Sequence, residues 1–155
     1  MSEKAVVFKI NEEDYGIPIS FVISIEKIPE TNPIPQLPSF VKGIVKVRDE
    51  LLPAIDLEEL LYGSQLNHNE ISRMIVLKTD KLSIGLFVRE AKEIIDIPAE
   101  LLKKVALMGY RKTKFFSGVA NLEKGLITMI DPDLLVESLE NIDAIQEYVE
   151  NYEMV

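Results

Sequence analysis

Apolar residues in this chain recur mostly with the two-residue period of strands. Val6, Phe8 and Ile10 alternate with Val7, Lys9 and Asn11. Tyr15, Ile17 and Ile19 are separated by Gly16 and Pro18, and Val22, Ile25 and Ile28 follow. Residues 41–47 and 51–55 form a further pair across an Arg48-Asp49-Glu50 turn. Runs over 73–79, 82–88, 91–97, 116–122 and 126–130 repeat that succession. Successive side chains of a strand point to opposite faces, so this alternation predicts strands buried on at least one side. Five short strands with tight turns, twice over, predict a mainly β chain built as small barrels.

The doubling is visible residue by residue. Phe40-Val41-Lys42-Gly43 lies over Phe115-Phe116-Ser117-Gly118 at an offset of 75, which continues through Leu51/Leu126, Ile55/Ile130, Asp56/Asp131 and Leu60/Leu135. Upstream, Val7-Phe8-Lys9 lies over Val76-Leu77-Lys78, Gly16 over Gly85, Ile25 over Ile94 and Pro29 over Pro98, at an offset of 69. The change from 69 to 75 places six extra residues in the second copy, between Pro98 and Phe115. Aliphatic matches between strands arise by chance, but Phe, Gly, Asp and Pro agreeing at steady offsets do not. One unit in two copies is expected, with halves at 5–63 and 73–139.

Helices are few. Asp56 is placed to cap a helix over 57–62, with Gly63 as its stop. Asp131-Pro132-Asp133 starts a second, with Asp as N-cap and Pro in the first turn; Leu134, Leu135 and Leu139 then face a barrel. A C-terminal helix within 140–155, beginning near Asp143, gathers Ile142, Ile145, Tyr148, Val149 and Tyr152 on one flank, which predicts packing on the parent barrels. The stretch 64–72 reads as a polar linker between the halves. Pro29, Pro33, Pro35 and Pro38 stiffen the approach to Phe40, because each fixes φ and removes a donor; the segment is expected to be an ordered strand connection.

Composition narrows the functional classes. The 155 residues carry 17 Lys and Arg against 26 Asp and Glu, a formal charge of −9, which repels both a phosphate backbone and an anionic membrane surface. With 47% hydrophobic residues the chain can build its core without disulfides, and no cysteine is present. That excludes disulfides, thiolate nucleophiles and Cys-ligated metals. The start lacks the basic and apolar run of a signal peptide, so a cytoplasmic protein is expected. His68, the one histidine, lies in the polar linker with no second histidine or cysteine to complete a metal site. No Walker, GxGxxG or GxSxG string occurs. The neighbouring acids Glu12-Glu13 and Glu58-Glu59 point apart on a strand or helix, which suits solvated faces better than a converging acid and base. No cofactor, metal or catalytic residue is expected.

The segment Phe40-x-x-Gly43-Ile44-x-x-Val47-Arg48, followed by Leu51-Leu52-Pro53-Ala54-Ile55-Asp56-Leu57, resembles the CheW-like family, the coupling proteins of bacterial chemotaxis. Supporting segments are Phe8-x-Ile10 with Tyr15-Gly16-Ile17-Pro18-Ile19, then Gly85-Leu86-x-Val88, and Gly118-Val119-Ala120. Together they span residues 5 to 136, so the chain is treated as a single CheW-like domain, 1–155. The resemblance implies two intertwined five-stranded SH3-like β-barrels with a few short helices. It also implies a non-enzymatic adaptor at receptor arrays, joining chemoreceptor cytoplasmic tips to the regulatory domain of the CheA histidine kinase. At this length it looks like the stand-alone coupler rather than the variant fused to a phosphoryl-receiver domain.

Carried over from the family, the receptor-facing residues are Val22, Ser24, Gly43 and Arg48, and the kinase-facing patch centres on Val6, Ile19 and Ala91. The residues themselves leave alternatives open: a strand bulge at Gly43, a solvated hairpin end at Arg48, and core positions for the apolar three. The chain departs from the family pattern at Asp49, where Gly is usual, at Lys46, where Asn is usual, and at Ser24, where an acid is frequent. Asp49 sets a carboxylate beside Arg48 and tolerates positive φ less well than Gly. Competing readings are an adaptor of another chemosensory-type pathway, such as twitching motility or biofilm control, and a small-molecule-binding barrel or carboxylate enzyme.

Overall fold

A computed structural model describes residues 2–103 and 114–153. Most of the stretch in which the six extra residues of the second copy were placed lies outside the described residues. The strands are β1 (Ser2–Ile10), β2 (Glu13–Pro18), β3 (Val22–Lys27), β4 (Val41–Val47), β5 (Glu50–Asp56), β6 (Arg73–Leu77), β7 (Ile84–Val88), β8 (Glu90–Pro98), β9 (Leu102–Lys103), β10 (Phe116–Leu122) and β11 (Gly125–Ile130). Helix α1 (Leu57–Tyr62) follows β5, and α2 (Pro132–Ser138) and α3 (Ile142–Glu153) follow β11.

The strands form two sheets, ordered β8-β1-β2-β11-β10-β9 and β3-β6-β7-β5-β4. Apart from the short β9, the orders are the same once β1 is matched with β6, β2 with β7, β3 with β8, β4 with β10 and β5 with β11. Each copy therefore lends its first two strands to the other copy's sheet, and the barrels are intertwined. Each lent hairpin joins the other copy on both sides, antiparallel through β1 with β8 and β6 with β3, and parallel through β2 with β11 and β7 with β5. The β9 strand makes the first sheet six-stranded, one more than the five expected.

The sequence offsets recur in the hydrogen-bond register. Val7 is opposite Gly16 and Val76 opposite Gly85; Gly16 is opposite Met129 and Gly85 opposite Ala54. Bulges recur too. Ile23 and Lys92 are the extra residues of β3 and β8, and Lys42 and Ser117 those of β4 and β10.

A large core with Phe8, Ile17, Ile75 and Leu86 lies between the sheets, and α2 and α3 close it with Leu135, Val136 and Ile145. Smaller cores fill the two barrels, Val45, Leu52, Met74, Val76 and Phe87 in one, Ala5, Val7, Ile127 and Met129 in the other. Strands such as β1 and β7 are thus buried on both faces, which explains their nearly continuous apolar runs.

The capping signals hold, while Leu134, expected to face a barrel with Leu135 and Leu139, is exposed. The Asp56 side chain accepts from the Glu59 N–H, and Gly63 ends α1 with φ 79°. Asp131 accepts from the Asp133 and Leu134 N–H groups ahead of Pro132. The linker is less polar than expected: Leu66 is buried in a barrel core, and its N–H donates to Asp56 Oδ2 at 2.8 Å.

Candidate functional site

The sequence-derived receptor residues all belong to the β3-β6-β7-β5-β4 barrel, yet they divide in two. Arg48 and Asp49 form the β4–β5 turn with φ of 51° and 71°, the left-handed pair that suits a tight two-residue hairpin connection. Asp49 thus adopts the conformation for which Gly is usual. Arg48 is exposed and has no ion-pair partner among the described residues. With Ile23, Val47, Glu50, Leu52 and Val76 it lines a depression of about 100 Å³ at the barrel mouth. Val22 and Ser24 flank Ile23 on β3, so the fold brings this part of β3 to the Arg48 hairpin.

Gly43 is not part of that group. It lies four strand steps before Val47, about 13 Å away along β4. Its φ is 150°, and a Cβ there would stand 2.9 Å from the Asn32 carbonyl oxygen. The bulge at Lys42 and this close approach give Gly43 a structural task, seating the proline-rich connection against β4. Gly118 repeats the arrangement, with the Lys103 carbonyl oxygen 2.8 Å from its would-be Cβ.

Ser24 does not present its hydroxyl to the surface. It pairs with Val76, whose side chain belongs to the barrel core, and its Oγ is buried without a hydrogen-bond partner. Burial alternates along β3, with Val22, Ser24 and Glu26 on the inner side and Ile23 and Ile25 exposed.

The kinase residues also separate by depth. Val6 is 2% exposed and belongs to the large core, so it lies beneath the surface and cannot be the exposed centre of an apolar patch. Ile19 is 36% exposed, in the 3-10 turn after β2, and Ala91 is half-buried on β8 opposite Phe8. Val6 stands between Ile17 on β2 and Ile94 on β8. The row ends at Ile94, which is 55% exposed at the sheet edge. Ile94 was missed as a surface residue; its match at the offset of 69, Ile25, is likewise exposed on the other sheet's edge strand. Val22 and Ala91 are themselves related by the offset of 69. The two surfaces named for different partners are therefore partly copies of one another.

The acids near the domain centre are tied to cations. Glu58 receives Arg89 Nη2 at 2.7 Å and Nε at 3.2 Å, together with the Asn11 N–H at 2.8 Å. Its neighbour Glu59 accepts from Lys42 and from the Ser39 hydroxyl. Burial raises the Glu59 pKa, but the Lys42 and Ser39 hydrogen bonds outweigh it and hold the carboxyl below its ordinary value. Burial dominates at Asp56 and pushes its carboxyl up, against the two backbone N–H groups that it accepts. These carboxylates brace α1 and face different partners; they do not converge on one open site.

Two interlocked small barrels with an exposed hairpin cation and apolar sheet edges define a duplicated, mainly β interaction module. The sequence model of the CheW-like domain matches residues 4–140, and the chain belongs to that family. It is 24% identical over 147 residues to the chemotaxis protein CheW of Bacillus subtilis, covering 94% of each chain. It is 23% identical over 141 residues to that of Klebsiella aerogenes, covering 90% of this chain and 85% of the relative. The crystal structure of the scaffolding protein TtCheW from Thermoanaerobacter tengcongensis superimposes with a TM-score of 0.80 at 29% identity, covering 88% of this chain and 94% of that one. No described helix is long and apolar enough to cross a membrane.

Proposed function

We propose that this chain is a non-enzymatic adaptor that couples chemoreceptor cytoplasmic tips to the regulatory domain of a CheA-type histidine kinase, working in the cytoplasm at receptor arrays. The observation that carries the reading is the CheW-like match over residues 4–140, nearly the whole chain. A relative of the same fold is described as a scaffolding protein. The receptor contact uses the Arg48 hairpin with the adjoining Val22 segment. Arg48 offers five donors in a planar fork, suited to carboxylates and carbonyls at a helical tip. Gly43 and Ser24 act through the backbone and packing that hold β3 and β4 in place. The kinase contact uses the apolar edge formed by Ile19, Ala91 and Ile94, supported from below by Val6.

The test is separation of the two contacts. Arg48→Glu weakens binding of a receptor tip fragment and leaves binding of the kinase regulatory domain unchanged; Ile94→Asp does the reverse. Loss of both contacts in either folded variant contradicts the assignment of surfaces, and absence of both in the native chain contradicts the adaptor reading.

A further inference from the structure

The two halves differ in charge at one pair of facing residues. Near the end of β8, Asp96 stands opposite Lys4 of β1 and pairs with it at 3.3 Å. The same place in the other sheet, at the offset of 69, is Lys27 of β3 opposite Arg73 of β6. The equivalence is one of register as well as sequence, because the neighbouring rows also match, Ile94 opposite Val6 and Ile25 opposite Ile75. A carboxylate and an ammonium in one half are thus replaced by an ammonium and a guanidinium in the other. Like charges directly opposite on neighbouring strands repel.

Neither cation is neutralised from within. Lys27 and Arg73 form no ion pair among the described residues, although Glu26 and Glu70 are close in sequence. Arg73 is fixed by backbone instead: its Nη1 donates to the carbonyls of Glu70 and Ser72, each at 2.7 Å. Those carbonyls belong to a turn that is itself tied. The Ser72 N–H donates to the Asn69 carbonyl at 3.1 Å, and the Asn69 N–H to Ser72 Oγ at 3.0 Å. The guanidinium is therefore held half-buried, with Nε and Nη2 lacking a hydrogen-bond partner among the described residues. These two nitrogens form the side of the fork that takes both oxygens of a carboxylate. Lys27 is exposed on the facing strand.

We propose that Lys27 and Arg73 clamp one carboxylate of a partner protein, the group that Asp96 supplies from within the chain in the other half. The surroundings favour an acidic side chain over a free phosphate or a polyanion. Ile23, Ile25 and Lys27 are the exposed residues of β3, so an apolar strip leads to the clamp, and the net charge of −9 repels a polyanion. Ile23 also borders the Arg48 depression, so the strip continues the receptor contact. The inference rests on the adaptor reading and gives that contact a second charged anchor, an acid of the receptor tip seated between Lys27 and Arg73.

Calorimetric titration of a receptor tip fragment into the full chain tests the clamp, with Lys27→Asp as the variant. That substitution places in the first half the pair found in the second, so Arg73 is satisfied from within and the urea midpoint stays level or rises. The receptor tip fragment binds about tenfold more weakly or worse, because the clamp is filled and its charge reduced, while the kinase regulatory domain binds as before. Lys27→Met removes the cation without adding an acid and weakens receptor binding by a smaller factor. Added salt weakens the native complex more than that of Lys27→Asp. A lowered midpoint, or receptor binding by Lys27→Asp equal to that of the native chain, overturns the clamp and leaves the adaptor reading standing. A native chain that binds neither fragment overturns both.

Discussion

The carboxylates of Glu58 and Asp133, 75 residues apart, make the same bond in the two halves of the molecule. Glu58 Oε1 accepts from the Asn11 N–H at 2.8 Å and Asp133 Oδ1 from the Asp80 N–H at 2.8 Å, and Asn11 and Asp80 are themselves 69 residues apart. In each half a short helix thereby holds the turn of the hairpin that the same half lends to the other sheet. Only Glu58 adds a cation, Arg89.

That asymmetry predicts unequal costs. Glu58 is 6% exposed in its side chain and Arg89 35%, so Glu58→Ala leaves a partly buried guanidinium and an amide unsatisfied. A loss of about 2–3 kcal/mol is expected, below the range for fully buried pairs because Arg89 reaches water. Asp133→Ala costs about 0.5–1.5 kcal/mol, the worth of an ordinary hydrogen bond. Urea denaturation of both variants checks the order.

At Gly43 a methyl group meets backbone, which cannot swing aside as a side chain can. Gly43→Ala is expected to cost about 2–4 kcal/mol through strain at positive φ and displacement of the 29–38 connection. Gly63→Ala is the comparison: its φ of 79° is the milder left-handed helical region and nothing lies within 4 Å, so about 1 kcal/mol is expected. Equal midpoints for the two variants would contradict the packing role of Gly43.

Ser24 carries an unpaired buried hydroxyl, which costs about 1–3 kcal/mol where no partner exists. Ser24→Ala is therefore expected to hold or raise stability, by up to about 1 kcal/mol after the loss of packing. A clear fall in the denaturation midpoint would show that the hydroxyl has a partner.

Acid removes the Lys42–Glu59 contribution. Because Glu59 titrates below its ordinary value when folded, its stabilisation is complete above that value and disappears as pH falls through the lowered one. Asp56 runs the other way: as pH falls through its raised value, protonation relieves a burial cost. Lys42→Met should therefore destabilise by about 1–2 kcal/mol at neutral pH and by much less once the carboxylates are protonated. Denaturation curves at neutral pH and near pH 3 give the comparison.

Most of the fold was legible because strands and turns are local. Alternation located the strands, Asp56 and Asp131-Pro132 located two helix starts, and the paired offsets exposed the duplication. The exchange of β1 and β2 for β6 and β7 was not legible from pattern, since it concerns which edges meet, and the resemblance supplied it. The site was harder. Val6 lies on a strand buried on both faces, where parity carries no information about exposure. On β3 the polar Ser24 shares the inner face with Val22 while the apolar Ile23 and Ile25 are exposed, the reverse of what hydrophobicity alone assigns. The exposure of Arg48 was legible because a charged residue in a tight turn has nowhere to point but solvent.

Simultaneous occupancy tests the central claim most directly. In calorimetric titrations the chain should bind the regulatory domain of its cognate kinase, and the resulting complex should still bind a receptor tip fragment with an affinity close to that of the free chain. A folded chain that binds neither, or whose two partners exclude one another completely, would contradict an adaptor with two working surfaces.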